Sequence, residues 1–164
     1  MLMLKQKFLL CFILLFPAFF LSARTGLGGA FSYSLSTEPH TAASFSVRTD
    51  FSPWSLLANV HFNENTLSLF FDNWFVNERL AEHADYFLLW GMSFGSTFEE
   101  NDAAICTGAR FGAGFDFFFL NRRLETFVQA VWNPYLGLKK EDGDYAPVLR
   151  PVNFPCSAGL RIWF

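Results

Sequence analysis

The stretch Val152–Phe164, VNFPCSAGLRIWF, closes the sequence and alternates from Ala158 onward. Ala158, Leu160, Ile162 and Phe164 fall on one side; Gly159, Arg161 and Trp163 fall on the other. A period of two with a charge on one face describes a strand between an apolar and a polar environment. The question the rest of the chain must answer is how many such strands it supplies.

The 164 residues suffice for one domain. They are 52% hydrophobic and 20% aromatic but only 16% charged, against roughly 25% charged in soluble domains. So little charge cannot cover an ordinary water-facing surface. Yet beyond the first twenty-odd residues no apolar run approaches the ~20 residues of a spanning helix. Alternating polarity over many short segments is the remaining way to be this apolar and still ordered in lipid.

The beginning reads as an export signal. Lys5 and Lys7 precede an unbroken apolar run from Phe8 to Leu21, followed by Ser22-Ala23. A basic start, a short apolar centre and a small terminal residue predict a secretory signal peptide over 1–23, cleaved near Ala23. Cys11 lies inside the apolar run, which does not suit lipoprotein processing. Losing the two lysines takes the formal charge from −3 to −5. A mildly acidic exported domain, 24–164, gives no reason to expect nucleic acid.

Eight alternating segments follow: Thr25–Leu35, Thr41–Phe51, Trp54–Phe62, Thr66 to about Val76, Asp85–Phe98, Ala103–Phe119, Glu125–Leu138 and the closing stretch. The sixth is the clearest, with Phe111, Ala113, Phe115, Phe117 and Phe119 opposite Arg110, Gly112, Gly114 and Asp116. Asn77–Ala84 (NERLAEHA) carries helix formers and reads as a longer turn, and Lys139–Pro151 as the longest polar loop. The expected fold is all-β, an eight-stranded antiparallel up-and-down transmembrane barrel. An even count brings both chain ends to one side, and closure removes edges that lipid would not tolerate. The tips near 36–41, 63–65, 99–102 and 139–151 would then face outside, and the turns near 52–54, 77–84 and 120–124 the periplasm.

The aromatic closing strand resembles that of bacterial outer-membrane barrels, whose last residue is typically Phe. The resemblance implies that Leu160, Ile162, Trp163 and Phe164 form a signal read by the barrel-assembly machinery. The whole mature chain looks like a small OmpA- or OmpW-like barrel. More narrowly, FFDNWF, YFLLWGMSFG, ARFGAGFDFFF and ETFVQAVWNPYLGL resemble small outer-membrane barrels of spirochaetes. Such barrels are implied to be integral to the outer membrane and surface-exposed. Some bind host proteins and some are narrow channels for small solutes.

The minor faces collect Arg48, Asp50, Asn59, His61, Asp72, Arg110, Asp116, Glu125, Gln129 and Arg161. Three are basic and four acidic, so a lumen built from them nearly neutralises itself. Buried charges persist only when paired, and an eight-stranded interior is just wide enough for side chains to fill. A plugged polar core is expected, with Arg110 and Glu125 paired across neighbouring strands. Gly91, Gly95, Gly112 and Gly114 would make room for the arginines; a charged, water-filled pore is the alternative. A hairpin symmetric about the 139–151 loop would set Pro134 opposite Pro155, loosening regular pairing there. That makes 139–151 the segment available to a host or other extracellular protein.

Catalytic signals are weak. His40, His61 and His83 map to a loop, a strand and a turn, do not converge, and show no metal-ligand spacing. His61 and Asp72 could approach on neighbouring strands, but no motif marks Ser68 as a nucleophile. Gly26–Gly29 (GLGG) opens a strand and lacks the Lys-Ser/Thr of a phosphate loop. Cys106 and Cys156 fall on opposite faces with a strand between them, so two free thiols are expected. The reading is a non-catalytic, monomeric outer-membrane barrel without cofactor or metal. The alternatives are a narrow OmpW-like channel for small or hydrophobic solutes and a soluble periplasmic lipocalin-like binding barrel.

Overall fold

The computed structural model describes residues 24–36, 39–62, 65–98, 103–141 and 144–164. The expected signal peptide, 1–23, lies outside the described residues, as do parts of the loops near 36–41, 63–65, 99–102 and 139–151. Ten strand segments form one antiparallel sheet: β1 (Thr25–Ser36), β2 (His40–Thr49), β3 (Trp54–His61), β4 (Thr66–Ala81), β5 (Ala84–Phe98), β6 (Ala103–Phe119), β7 (Leu124–Trp132), β8 (Tyr135–Glu141), β9 (Asp144–Arg150) and β10 (Asn153–Trp163). Neighbours in sequence pair from β1 to β6, β6 pairs β7, β7 pairs β10, and β10 returns to β1.

The ring therefore closes with eight staves. β7 and β8 are one stave, because β6 runs past both in the same register, with Phe111 opposite Trp132 and Gly108 opposite Tyr135. β9 and β10 make the other interrupted stave. Between the pairs Ala130–Cys156 and Tyr135–Arg150, four residues on one side face five on the other. The extra residue is a bulge beside Pro151, which has no backbone donor to hold a ladder.

Closure decides which face is inside. Phe31, Phe45, Leu69, Phe94, Phe111, Phe115, Val128, Leu160 and Ile162 point outward and are exposed. Ser46, Asn59, Asp72, Arg110, Asp116, Glu125 and Arg161 point inward and are buried. This is the reverse of a water-soluble barrel with an apolar interior, so the lipocalin-like alternative is overturned. A small apolar cluster, Trp74, Phe87, Leu89 and Val131, is set among the interior polar groups.

Four expectations are corrected. Asn77–Ala84 is not a long turn: β4 continues paired to Ala81, and Glu82-His83 turn directly into β5. Register shifts between Trp74 and Val76 and between Arg79 and Ala81 slide the alternation there, which hides the strand in the sequence. The 139–151 loop is largely the β8–β9 hairpin, its lysines and acids obscuring the period. Pro134 and Pro155 are not opposite: Pro155 pairs with Ser34 of β1, while Pro134 lies between β7 and β8. The inward glycines serve the arginines only in part: Gly91 lies between Asp72 and Arg110 in one row, whereas Gly114 makes room for Phe87. A Cβ at Gly91 would lie 2.5 Å from Asp72 Oδ1, and one at Gly114 would lie 2.3 Å from the Phe87 ring. The two cysteines form no disulfide; Cys106 is half-buried and Cys156 exposed.

Candidate functional site

The interior charges sit on different staves: Arg161 is the direct cross-strand neighbour of Glu125, Arg110 and Asp72 share one row across Gly91, and Arg48 on β2 reaches Asp116 on β6 across the lumen. Glu125 on β7 is the hub near the end that carries Arg24 and Phe164. It accepts hydrogen bonds from Arg161 Nη1, from Trp163 Nε1 at 2.7 Å and, more loosely, from Arg48 Nη1 at 3.5 Å. The same Arg48 Nη1 lies 3.1 Å from Asp116 Oδ2. Arg161 also donates from Nε to Ser46 Oγ at 2.8 Å. The Arg48 guanidinium lies 3.8 Å from the centre of the Trp74 ring, which stacks on Phe87 at 3.6 Å and 7°. Arg161 lies over Phe127 at 4.0 Å. A planar, weakly hydrated guanidinium suits such a sandwich better than an ammonium would.

One level further from the termini, Arg110 donates to Asp72 through Nε at 2.7 Å and Nη2 at 3.1 Å. Its guanidinium covers Phe70 at 3.8 Å. Thus three buried arginines, 48, 110 and 161, face the carboxylates 72, 116 and 125, and a fourth buried carboxylate, Asp85, is met by the partly exposed Arg122, so the interior is charge-balanced. The expected Arg110–Glu125 pair is not formed; Glu125 belongs to Arg161 and Arg48. Asp50 does not join the network, being exposed beyond β2 in the turn to β3. Gln129 is buried in the wall, with no hydrogen-bond partner for its amide among the described residues.

Towards the opposite end the lumen becomes neutral and hydroxylic. Ser34 donates to Asn153, whose Nδ2 donates to the Asn133 carbonyl at 3.1 Å, and Ser93 donates to Asn133 Oδ1 at 2.8 Å. Ser44 donates to Asn59, and the hydroxyls of Ser32 and Ser157 lie 2.7 Å apart. His61 lies 3.0 Å from Ser68 Oγ and against His40, with ring centres 4.9 Å apart and the ring planes tilted by 42°. Two of the three histidines therefore do converge, against the sequence expectation, while His83 stays exposed beside Glu82 at the other end. His61 meets Ser68 rather than Asp72. His40, His61, Ser68, Ser93, Asn133 and Asn153, with Lys139 and Arg150 of the hairpin, line a cavity of about 320 Å³ that opens away from the chain termini.

The sequence pattern missed the aromatic half of this interior. Trp74 shares the parity of Asp72, so extending that face by two residues would have found it. Phe87 and Leu89 lie inward on β5 although the strand's larger apolar run suggests the other face. At the chain termini Leu160, Ile162 and Phe164 point outward, whereas Trp163 turns in to Glu125.

No family model matches this chain, and no curated protein matches it. Among solved structures, the N-terminal β-barrel domain of Pseudomonas aeruginosa OprF is similar, with a TM-score of 0.46 and 15% identity, over 87% of this chain and 100% of that one. At that level the likeness assigns no role, and the narrower resemblance to spirochaetal barrels gains no support from it. What the chain is, on its own geometry, is a closed eight-stranded antiparallel barrel with a charge-balanced interior.

Proposed function

We propose that the chain is an integral outer-membrane β-barrel, non-catalytic, with an envelope and surface role. One observation carries this reading: the barrel is apolar outside and charged inside. Exposed Phe, Leu, Ile, Val and Trp side chains surround the staves, while the arginines and carboxylates are sealed within. In water that arrangement forfeits the hydrophobic effect; in hydrocarbon it is what a closed sheet needs. The longer staves have ample length, β4 with 16 residues and β6 with 17, against the ~9–11 needed by a tilted spanning strand. Leu160, Ile162 and Phe164 then offer the assembly machinery an apolar edge, and the end of the β8–β9 hairpin beyond the level of Lys140 is the part offered to partners outside.

The test is heat modifiability. The chain isolated from membranes in mild detergent should migrate faster unboiled than boiled and be β-rich by circular dichroism. A protein that stays in the soluble fraction without detergent and shows no shift would refute the proposal.

A narrow-channel function for small or hydrophobic solutes has one observation in its favour. The cavity at the open end and a second, apolar hollow on the outer wall share Gly95, Cys106 and Gly137. These three residues pair in a row across β5, β6 and β8, so the wall there is one backbone thick but still hydrogen-bonded. Uptake of a fluorescent apolar solute into vesicles carrying the barrel, absent from empty vesicles, would support the channel reading.

A further inference from the structure

The outer wall of an eight-stranded barrel is convex, yet this one carries a hollow of about 670 Å³ between β4 and the β8–β9 hairpin. Its floor is the backbone of Gly95, Cys106 and Gly137, whose inward orientation leaves no side chain on the outer face. Leu67, Phe94, Ile105 and Leu138 form its sides, and Ile105 is 70% exposed. At the top stand Lys140 and Tyr145, directly paired across the hairpin, and none of the lining residues is acidic.

We propose that this hollow is a binding groove for one lipid of the surrounding leaflet, an amphiphile with acyl chains and an anionic phosphate head group. The inference rests on the membrane reading above. If the barrel spans a bilayer, the hollow faces hydrocarbon, where an acyl chain is the available occupant. The dimensions agree. From Leu136 to Lys140 the groove runs four residues, about 13 Å along the strand, close to the ~15 Å of one hydrocarbon leaflet. Its volume holds on the order of twenty groups the size of a water molecule or methylene, enough for much of a lipid's chains. Lys140 sets the head-group sign: an ammonium at the chain–head-group boundary attracts phosphate, and Tyr145 is an amphipathic side chain suited to that level.

The experiment uses the full chain folded into nanodiscs of equal phosphatidylglycerol and phosphatidylcholine, checked by the gel shift, then released into mild detergent for native mass spectrometry. Wild type should retain one phosphatidylglycerol in preference to phosphatidylcholine by about fivefold, the worth of one lysine at a lipid surface. Ile105→Trp, which fills the groove, should lose the retained lipid, with Leu138→Trp as the substitute if the first variant does not fold. Lys140→Gln should keep a lipid but erase the preference. Equal retention of both lipids by wild type, or undiminished retention by a folded groove-filling variant, overturns the proposal. A chain that never shows the gel shift overturns the membrane reading and this inference with it. That failure appears before any lipid is counted.

Discussion

Arg110 grips Asp72 with two donors, Nε at 2.7 Å and Nη2 at 3.1 Å, and the two residues are 1% and 0% exposed. Removing one partner leaves a buried charge without compensation, which costs about 3–5 kcal/mol. Asp72→Ala should therefore lower stability by that amount in urea unfolding from micelles followed by tryptophan fluorescence. Asp72→Leu combined with Arg110→Met should recover most of it, because two apolar groups replace two charges. A double variant as unstable as the single would show that packing, not charge, dominates the site.

Glu125 serves three donors, so its contribution is shared. Glu125→Gln, Arg161→Met and their combination should be non-additive, with a coupling of about 0.5–3 kcal/mol in a double-mutant cycle. Trp163→Phe should couple to Glu125→Gln as well, since Trp163 Nε1 donates to the same carboxylate. Strict additivity would mean the hydrogen bonds have no joint energetic role.

The stack of Arg48 on Trp74 on Phe87 spans the lumen close to the chain termini. Planar-bilayer recordings of wild type should show no resolved conductance steps. Trp74→Ala removes the middle of the stack and should produce steps whose size falls when Arg48→Ala shifts the lumen's charge against the permeating anion. Steady steps from wild type would show that the core is not a plug.

Phe164 is 75% exposed and makes no interior contact with the charged core. Phe164→Ala should change unfolding free energy by no more than about 0.5 kcal/mol, as for exposed positions generally. If the closing strand is an assembly signal, the same variant should lower the fraction of heat-modifiable protein in membranes severalfold. A yield equal to wild type would remove Phe164 from that role.

The β6–β7 turn holds Leu120, Asn121 and Arg122 at φ of 52°, 56° and 63°. Left-handed backbone costs a residue with a Cβ roughly 1–2 kcal/mol, partly offset in glycine by its larger unfolded-state entropy. Leu120 is 73% exposed, so little packing is lost on its removal. Leu120→Gly should raise stability by about 0.5 kcal/mol or more, read as a shift in the urea midpoint at unchanged slope. The turn is also a clasp. Arg122 donates to Asp85 at 2.7 Å, its carbonyl accepts from Arg24 at 2.8 Å, and the Arg123 carbonyl accepts from Trp163 N at 2.8 Å.

The alternation of Phe111 to Phe119 against Arg110 to Asp116 was legible because each residue's face depends only on its immediate neighbours. β6 accordingly spans Ala103–Phe119, the bounds read from the sequence. Where a bulge slips that period, as at Trp74/Val76 and Arg79/Ala81, local reading fails and a paired strand looks like a turn. The sequence by itself thus determined a sheet of eight alternating staves and sorted the charged side chains onto one face. Only the closed tertiary structure decided that this face is the inside and chose the partners within it. Sheet register sets Arg161 beside Glu125 and puts Arg110, Gly91 and Asp72 in one row, while closure brings Arg48 on β2 across the lumen to Asp116 on β6. Arg110 on β6 therefore reaches Asp72 on β4, over the small Gly91 between them, and leaves Glu125 to Arg161 and Arg48.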